Sequence, residues 1–461
     1  PDDGVLVFPC NVPSGCHDMN QIWRAEVFAR IVPLLAELVV DSDLEDWEGE
    51  VSEQTLLIRD LGLTSVDFID LFVAIEKSFG RVIGFHDLLM VNGRYVSDLS
   101  LGQLAEFLTA KLNEVADAKI RTPEVPSFQP AEFREVDAAT FASFSRIIPL
   151  PTSWGDGPVK KNRRAIFVLS APRSGSTLLQ TILAGHPGLF APPELHLLWF
   201  SDLRHRSSAF YQETNKHLLS GTIRALMQLQ GTSVEQATRF MAECEDSGMS
   251  VSDFYGLLQG QLGDRLLVDK TPSNAYSLAV LRRMEECFEE PLYLQLVRHP
   301  GGMTKSFVDA KLERTVPFMM RHAADYSGEQ FAELAWLTCN RNIADFLHEV
   351  PAGRQHCISY ERLVTAPAET LRGVCDFLGL PFHLDMLDPY RDKQQRMADG
   401  LRTVGQMSGD LKFHLHSRID PESAHRWQRF MSEDSLGALT WELAGQLGYS
   451  RRGAVAVSAV G

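Results

Sequence analysis

The stretch "VLSAPRSGSTLLQTILAGHP", residues 168–187, decides how this chain is read. It starts inside a near-continuous apolar run, "RRAIFVLSA", bounded by charge on one side and proline on the other, the pattern of a buried parallel strand. After Pro172 come Arg173, Ser174 and Gly175, then "STLLQTILAGHP", an apolar segment that reads as a helix opening on Ser176 and ending near Gly185 and Pro187. A strand, a tight glycine turn and a helix aim several backbone N–H groups and the positive helix end at one point, which suits a phosphate. A Walker turn requires Gly-Lys-Ser/Thr, whereas Gly175-Ser176-Thr177 lacks the lysine that reaches a terminal phosphate of ATP. The turn is expected to hold a 5′-phosphate without ordinary nucleotide hydrolysis.

A second segment, "PLYLQLVRHPGGMTKSFVDA" (291–310), is another apolar strand leading through Arg298 and His299-Pro300 to a helix carrying Ser306. A guanidinium fork and a hydroxyl on one strand end can share a phosphate. Two such strand ends imply a nucleotide phosphorylated in two places. Pro-Arg-Ser-Gly-Ser-Thr, followed by Arg-x-Pro with a serine eight residues beyond the arginine, resembles the two loops of sulfotransferases that use 3′-phosphoadenosine 5′-phosphosulfate (PAPS). The resemblance covers about residues 161–450. It implies an α/β sulfotransferase fold, P-loop-like, with a mainly parallel sheet flanked by helices, "HCISYERLV" and "LRGVCDFLGLPF" supplying a further strand and helix. It also implies that Arg173, Ser174, Gly175, Ser176, Thr177 and Leu178 hold the 5′-phosphosulfate, and Arg298 with Ser306 the 3′-phosphate.

Sulfuryl transfer needs a proton acceptor for the attacking hydroxyl, positive charge beside the leaving phosphate and exclusion of water. Glu194, in "APPELHLL", stands at the separation from the loop arginine at which tyrosylprotein sulfotransferases have their base. His196, two residues on, is an alternative acceptor suited to neutral pH. Lys270 ends the apolar run of "LLVDKTPSN", and the matching lysine in related enzymes balances charge on the bridging oxygen. No metal is required. Residues 201–263 read as inserted helices, a candidate lid and acceptor pocket whose methionines and aromatics also suit an ordinary core. The run "GDLKFHLHSRIDPESAHRW", with Lys412, His414, His416 and Arg418, resembles the C-terminal segment of polyketide-associated sulfotransferases.

Ahead of this region lies a smaller acidic unit, about residues 20–114, with 17 Asp/Glu against 7 Lys/Arg. "QIWRAEVFARIVPLLAELV", "SVDFIDLFVAIEKSFG" and "SLGQLAEFLTAKL" have helical apolar spacing, with Pro33 inside the first. In "IRDLGLTSVDFIDL" a turn delivers Ser65 to the start of the second helix, where Thr64 or Ser65 could equally be a simple N-cap. The whole unit, a small all-α bundle, resembles an acyl carrier protein, with Thr64-Ser65-Val66 in place of the usual Asp-Ser-Leu. The resemblance makes Ser65 the attachment point of 4′-phosphopantetheine. A proline- and glycine-rich stretch, 115–160, reads as a linker partly ordered by its aromatics.

The formal charge of −16 argues against a nucleic-acid partner. No apolar run approaches the roughly 20 residues of a membrane helix, so no membrane partner is expected. Seven scattered cysteines suggest reduced thiols and a cytoplasmic location. A carrier ahead of such a sulfotransferase resembles the tail of a modular polyketide synthase of the curacin and olefin-synthase type. Its partners would then be a carrier-tethered hydroxyacyl substrate sulfated at a β-hydroxyl, upstream polyketide synthase modules and a thioesterase. Transfer to a free small-molecule or peptide hydroxyl, or a non-catalytic nucleotide-binding scaffold, are the competing readings.

Overall fold

The computed structural model describes residues 23–40, most of 51–113, 135–154, 160–210, 217–314, 316–398, 413 and 416–451. The chain divides into two compact units, Pro1–Ser127 and Phe128–Gly461.

In the first unit, α1 (Arg24–Val40), α2 (Ser65–Phe79) and α3 (Leu101–Asn113) carry the helical periodicities of the sequence. Val27, Ile31 and Leu35 of α1, Leu71 and Ile75 of α2, and Leu104, Ala105 and Leu108 of α3 meet in one core. Phe72 stacks on Phe85 at 3.9 Å. Pro33 sits within α1, where it removes one donor without ending the helix. Gly80 ends α2 in the left-handed conformation, φ +63°. A two-residue antiparallel pair, β1 (Met90–Val91) with β2 (Arg94–Tyr95), adds to the bundle expected to be all-α. Ser65 is the first residue of α2, while Gly62 and Thr64 of the preceding turn fall outside the described residues.

The second unit is built on five parallel strands: β3 (Ile166–Leu169), β4 (Leu189–Phe190), β5 (Leu266–Lys270), β6 (Leu292–Val297) and β7 (Gln355–Ser359). Their order across the sheet is β4-β5-β3-β6-β7. Side chains alternate between faces, so Ile166 and Val168 enter one core and Phe167 and Leu169 the other. Both faces of β3 are thus covered, which explains the unbroken apolar run. The stretch expected as a linker, 115–160, contributes α4 (Ala138–Ile147) to this unit, with Phe144 fully buried in the same core as Phe167.

Chain order places the first strand, β3, mid-sheet, with the next connections running to one side and the later ones to the other. Such a sheet opens a crevice at the carboxyl ends of its strands where the direction switches. The turn from β3 leads into α5 (Ser176–Ala184), and that from β6 into α11 (Pro300–Asp309). Between β4 and β5 the inserted region forms α6 (Leu203–Ala209), α7 (Ser220–Gln230), α8 (Val234–Asp246) and α9 (Val251–Gly260). Then α10 (Leu278–Cys287) precedes β6, α12 (Pro317–Met320) and the long α13 (Gly328–Glu349) precede β7, and α14 (Tyr360–Thr365), α15 (Pro367–Leu378) and α16 (Ala438–Gln446) follow it. No described helix is long and apolar enough to cross a membrane.

Candidate functional site

The residues nominated for donor binding and chemistry gather at the carboxyl ends of the strands: Arg173–Leu178 after β3, Glu194 and His196 on the loop after β4, Lys270 as the last residue of β5, and Arg298 and Ser306 on the turn and helix after β6. In the turn after β3, Arg173 (φ +60°) and Gly175 (φ +86°) adopt left-handed backbone. Gly175 is held to glycine twice over, because a Cβ there would also come within 2.3 Å of Tyr360 Cδ2. Ser176, Thr177 and Leu178 form the first turn of α5. Among the described residues, the buried hydroxyls of Ser170 and Ser174 have no hydrogen-bond partner, so this turn keeps donors available for a ligand.

The turns after β3 and β6 form a continuous cluster. Arg173 Nε donates to Ser306 Oγ at 3.2 Å, and Arg298 Nη1 donates to the carbonyl of Arg173 at 2.9 Å. The Arg173 side chain therefore points at the loop assigned to the 3′-phosphate, not only at its own turn. Arg298 lies 4.3 Å above the Tyr360 ring, and Trp336 Nε1 donates to its carbonyl at 3.0 Å. His299 caps α11, accepting from Gly301 N at 3.1 Å, and stacks on Trp427 at 4.4 Å. Trp427 belongs to the C-terminal run that includes His416 and Arg418, while Lys412 and His414 lie outside the described residues.

Glu194 and His196 on the loop after β4 converge with Lys270 at the carboxyl end of β5. Lys270 Nζ, on a side chain only 1% exposed, lies 2.8 Å from Glu194 Oε1 and 3.5 Å from Thr177 Oγ1. His196 Nε2 lies 3.2 Å from Glu194 Oε2, and His196 Nδ1 is 3.2 Å from Ser273 Oγ. Burial alone raises the Glu194 carboxyl, but the Lys270 ammonium, then His196, outweigh it and bring it down to about 2. The resting site thus holds a carboxylate neutralised by a buried ammonium, next to a turn shaped for phosphate.

Sequence reasoning passed over the groups that hold this arrangement. Asp269, raised by burial, accepts from Tyr255 Oη at 2.5 Å and Thr271 Oγ1 at 2.7 Å, and Thr271 Oγ1 in turn accepts from Leu195 N at 3.3 Å. Arg206 of α6 is wholly buried against the Glu194 loop. Tyr360 and Trp427 lie against the turns after β3 and β6 from elements far along the chain. Of these, only the neighbourhood of Asp269 and Thr271 with Lys270 was visible as a motif.

A family model described as the sulfotransferase family matches residues 165–384. The sulfotransferase domain from the curacin biosynthetic pathway is 34% identical, with a TM-score of 0.59, over 63% of this chain and 100% of that one. The sulfotransferase domain from the Synechococcus PCC 7002 olefin synthase is 35% identical, with a TM-score of 0.57, over 65% of this chain and 98% of that one. Nodulation protein NoeE of Sinorhizobium fredii (strain NBRC 101917 / NGR234) is 28% identical over 315 residues, 62% of this chain, which spans 66% of NoeE. The acyl carrier protein of Thermotoga maritima is 30% identical over 90 residues, 19% of this chain and 95% of that protein. Strand ends, paired turns and relatives agree: the chain belongs to the sulfotransferase family and includes a stretch that matches an acyl carrier protein.

Proposed function

We propose that this enzyme moves a sulfuryl group from PAPS to a hydroxyl, the β-hydroxyl, of an acyl chain on a 4′-phosphopantetheine arm at Ser65. The observation that carries the reading is the Glu194 carboxylate, shared between Lys270 and His196 beside Thr177 of the phosphate turn. The donor fits the residues present, since two anion-cradling turns meet at Arg173 and Ser306 and the Ser170 and Ser174 hydroxyls are buried without partners among the described residues. Arg173 through Leu178 would hold the 5′-phosphosulfate, and Arg298 and Ser306 the 3′-phosphate. When bound, PAPS supplies a sulfuryl group on a phosphate leaving group.

Lys270 stands between the base and the turn. Its ammonium, 3.5 Å from Thr177 Oγ1, would balance the charge that develops on the departing phosphate when PAPS is bound. A Lys270 drawn toward that charge would act less on Glu194, removing part of what depresses its carboxyl while burial still raises it and His196 still lowers it. A carboxylate that is a poor base at rest becomes a better one when donor is in place. Glu194 takes the hydroxyl proton as the acceptor oxygen bonds to sulfur and the bond from sulfur to the leaving phosphate breaks. His196, 3.2 Å away and tied to Ser273, is placed to share that proton.

Ser65 opens α2 in a bundle of carrier-like helices, and the similarity to curacin-pathway and olefin-synthase domains supports a carrier-tethered substrate delivered by polyketide synthase modules. A thioesterase acting on the sulfated chain fits the same setting. The test is a comparison of acceptors. A 3-hydroxyacyl group on the Ser65 arm should be sulfated faster than the same acyl pantetheine free in solution. Equal rates with free acceptor on Ser65→Ala enzyme would support transfer to a free hydroxyl instead.

A further inference from the structure

Glu194 and His196 are two residues apart on an irregular loop, where nothing in local geometry obliges their side chains to meet. They meet with His196 in a left-handed backbone, φ +48°, a conformation that is uncommon and costly for side-chain-bearing residues. The surroundings are specific. Arg206, with 0% of its surface exposed, donates from Nε to the carbonyls of Leu195 and His196, both at 3.1 Å, and from Nη2 to Leu195 at 2.8 Å and Leu218 at 3.1 Å. Among the described residues no carboxylate forms an ion pair with it. Glu245 acts on it electrostatically without such a pair, and a guanidinium so buried is expensive unless its donors are well used; here they are used on the loop that carries Glu194 and His196.

The rest of that loop is gripped as well. Leu195 N donates to Thr271 Oγ1, on the segment that carries Lys270. At the start of α7, Gly221 packs so closely that an added Cβ would lie 2.0 Å from the Glu194 carbonyl oxygen. The inserted helices, expected as a lid, thus reach the site through backbone contacts behind the Glu194 loop.

We propose that Arg206 is a positioning residue for sulfuryl transfer, holding the left-handed turn at His196 so that Glu194 and His196 converge on one proton. The proposal rests on reading these two as the proton-accepting pair. An arginine serving the fold alone would alter stability and leave the chemistry of surviving molecules intact. A positioning arginine alters the rate of transfer while donor binding, which uses other loops, stays unchanged.

The experiment uses the full chain with a 3-hydroxyacyl phosphopantetheine arm on Ser65, following single-turnover transfer from PAPS by intact mass across pH, and PAP affinity by calorimetry. Arg206→Met is expected to slow transfer by about 100-fold, the effect of misplacing a reacting group by about an ångström, with PAP affinity within about threefold of native. The acidic limb of its rate profile should move to higher pH, because a carboxyl that slips from Lys270 keeps the burial that raises it. Arg206→Lys should recover part of the rate, since an ammonium still donates to the Leu195 carbonyl. Native rate and profile in Arg206→Met, with Glu194→Gln impaired, would overturn the proposal. If Arg206→Met fails to fold, Arg206→Lys decides: an ammonium can keep fewer of these carbonyl contacts, and a native rate and profile there overturn the proposal equally. Should Glu194→Gln and His196→Ala both transfer at the native rate, the reading of the base has failed instead.

Discussion

Glu194 Oε1 lies 2.8 Å from Lys270 Nζ, with the ammonium 1% exposed and the carboxylate 13%. This pair links the acidic and basic halves of the chemistry before any ligand arrives. Removing one partner leaves the other charge buried, at a cost of about 3–5 kcal/mol. Lys270→Met should therefore lower the melting temperature clearly and abolish transfer. It should also raise the Glu194 carboxyl from about 2, since burial persists and the ammonium is gone, which carbon-13 NMR of the labelled carboxyl would read.

The same pair makes stability depend on pH with a definite sign. The Glu194 carboxyl titrates lower in the folded chain, at about 2, than the 4.5 of an unperturbed glutamate. Its stabilisation is therefore complete above pH 4.5 and is lost as pH falls toward 2, amounting to about 3 kcal/mol at most. Glu194→Gln should be less stable than native at pH 7, with the gap narrowing in urea titrations below pH 4.5. A gap that widens with acid would refute the assignment.

Arg298 and Ser306, joined through Arg173, predict a signature in ligand binding. A charge-assisted hydrogen bond contributes about 1.5–3 kcal/mol, so Arg298→Ala should weaken PAP binding by roughly 10- to 100-fold. Binding of adenosine 5′-phosphosulfate, which has no 3′-phosphate, should change much less. Calorimetry with both ligands distinguishes loss of a phosphate contact from general damage.

Gly175→Ala meets two obstacles, a left-handed backbone and the Tyr360 ring 2.3 Å from the new methyl. The variant should lose PAP binding. Gly175→Ala combined with Tyr360→Ala should recover only part of it, because the backbone conformation still disfavours alanine.

Much of this site is legible in the chain itself. Apolar runs bounded by proline and charge mark β3 and β6, and an arginine and serine eight residues apart mark the turn and helix that follow β6. Such features are local, set by strand burial, turn geometry and helix starts. Arg206 is not legible: within "LRHRSSA" it looks like one more basic residue on a short helix. Its role arises from carbonyls on a loop ten residues earlier and from Leu218, contacts that only the tertiary fold creates. Tyr360 and Trp427 were hidden for the same reason. The aromatic content of the insertion proved to be core where Phe254 and Tyr255 pack, Tyr255 also supporting Asp269.

Transfer from PAPS to a chain on the carrier arm is read out by intact-protein mass spectrometry. The full chain, phosphopantetheinylated and loaded with a 3-hydroxyacyl group, is incubated with PAPS. A gain of one sulfuryl group is expected, absent in Ser65→Ala and strongly slowed in Glu194→Gln. No gain on the arm, with PAPS still consumed when soluble alcohols are supplied, would contradict it.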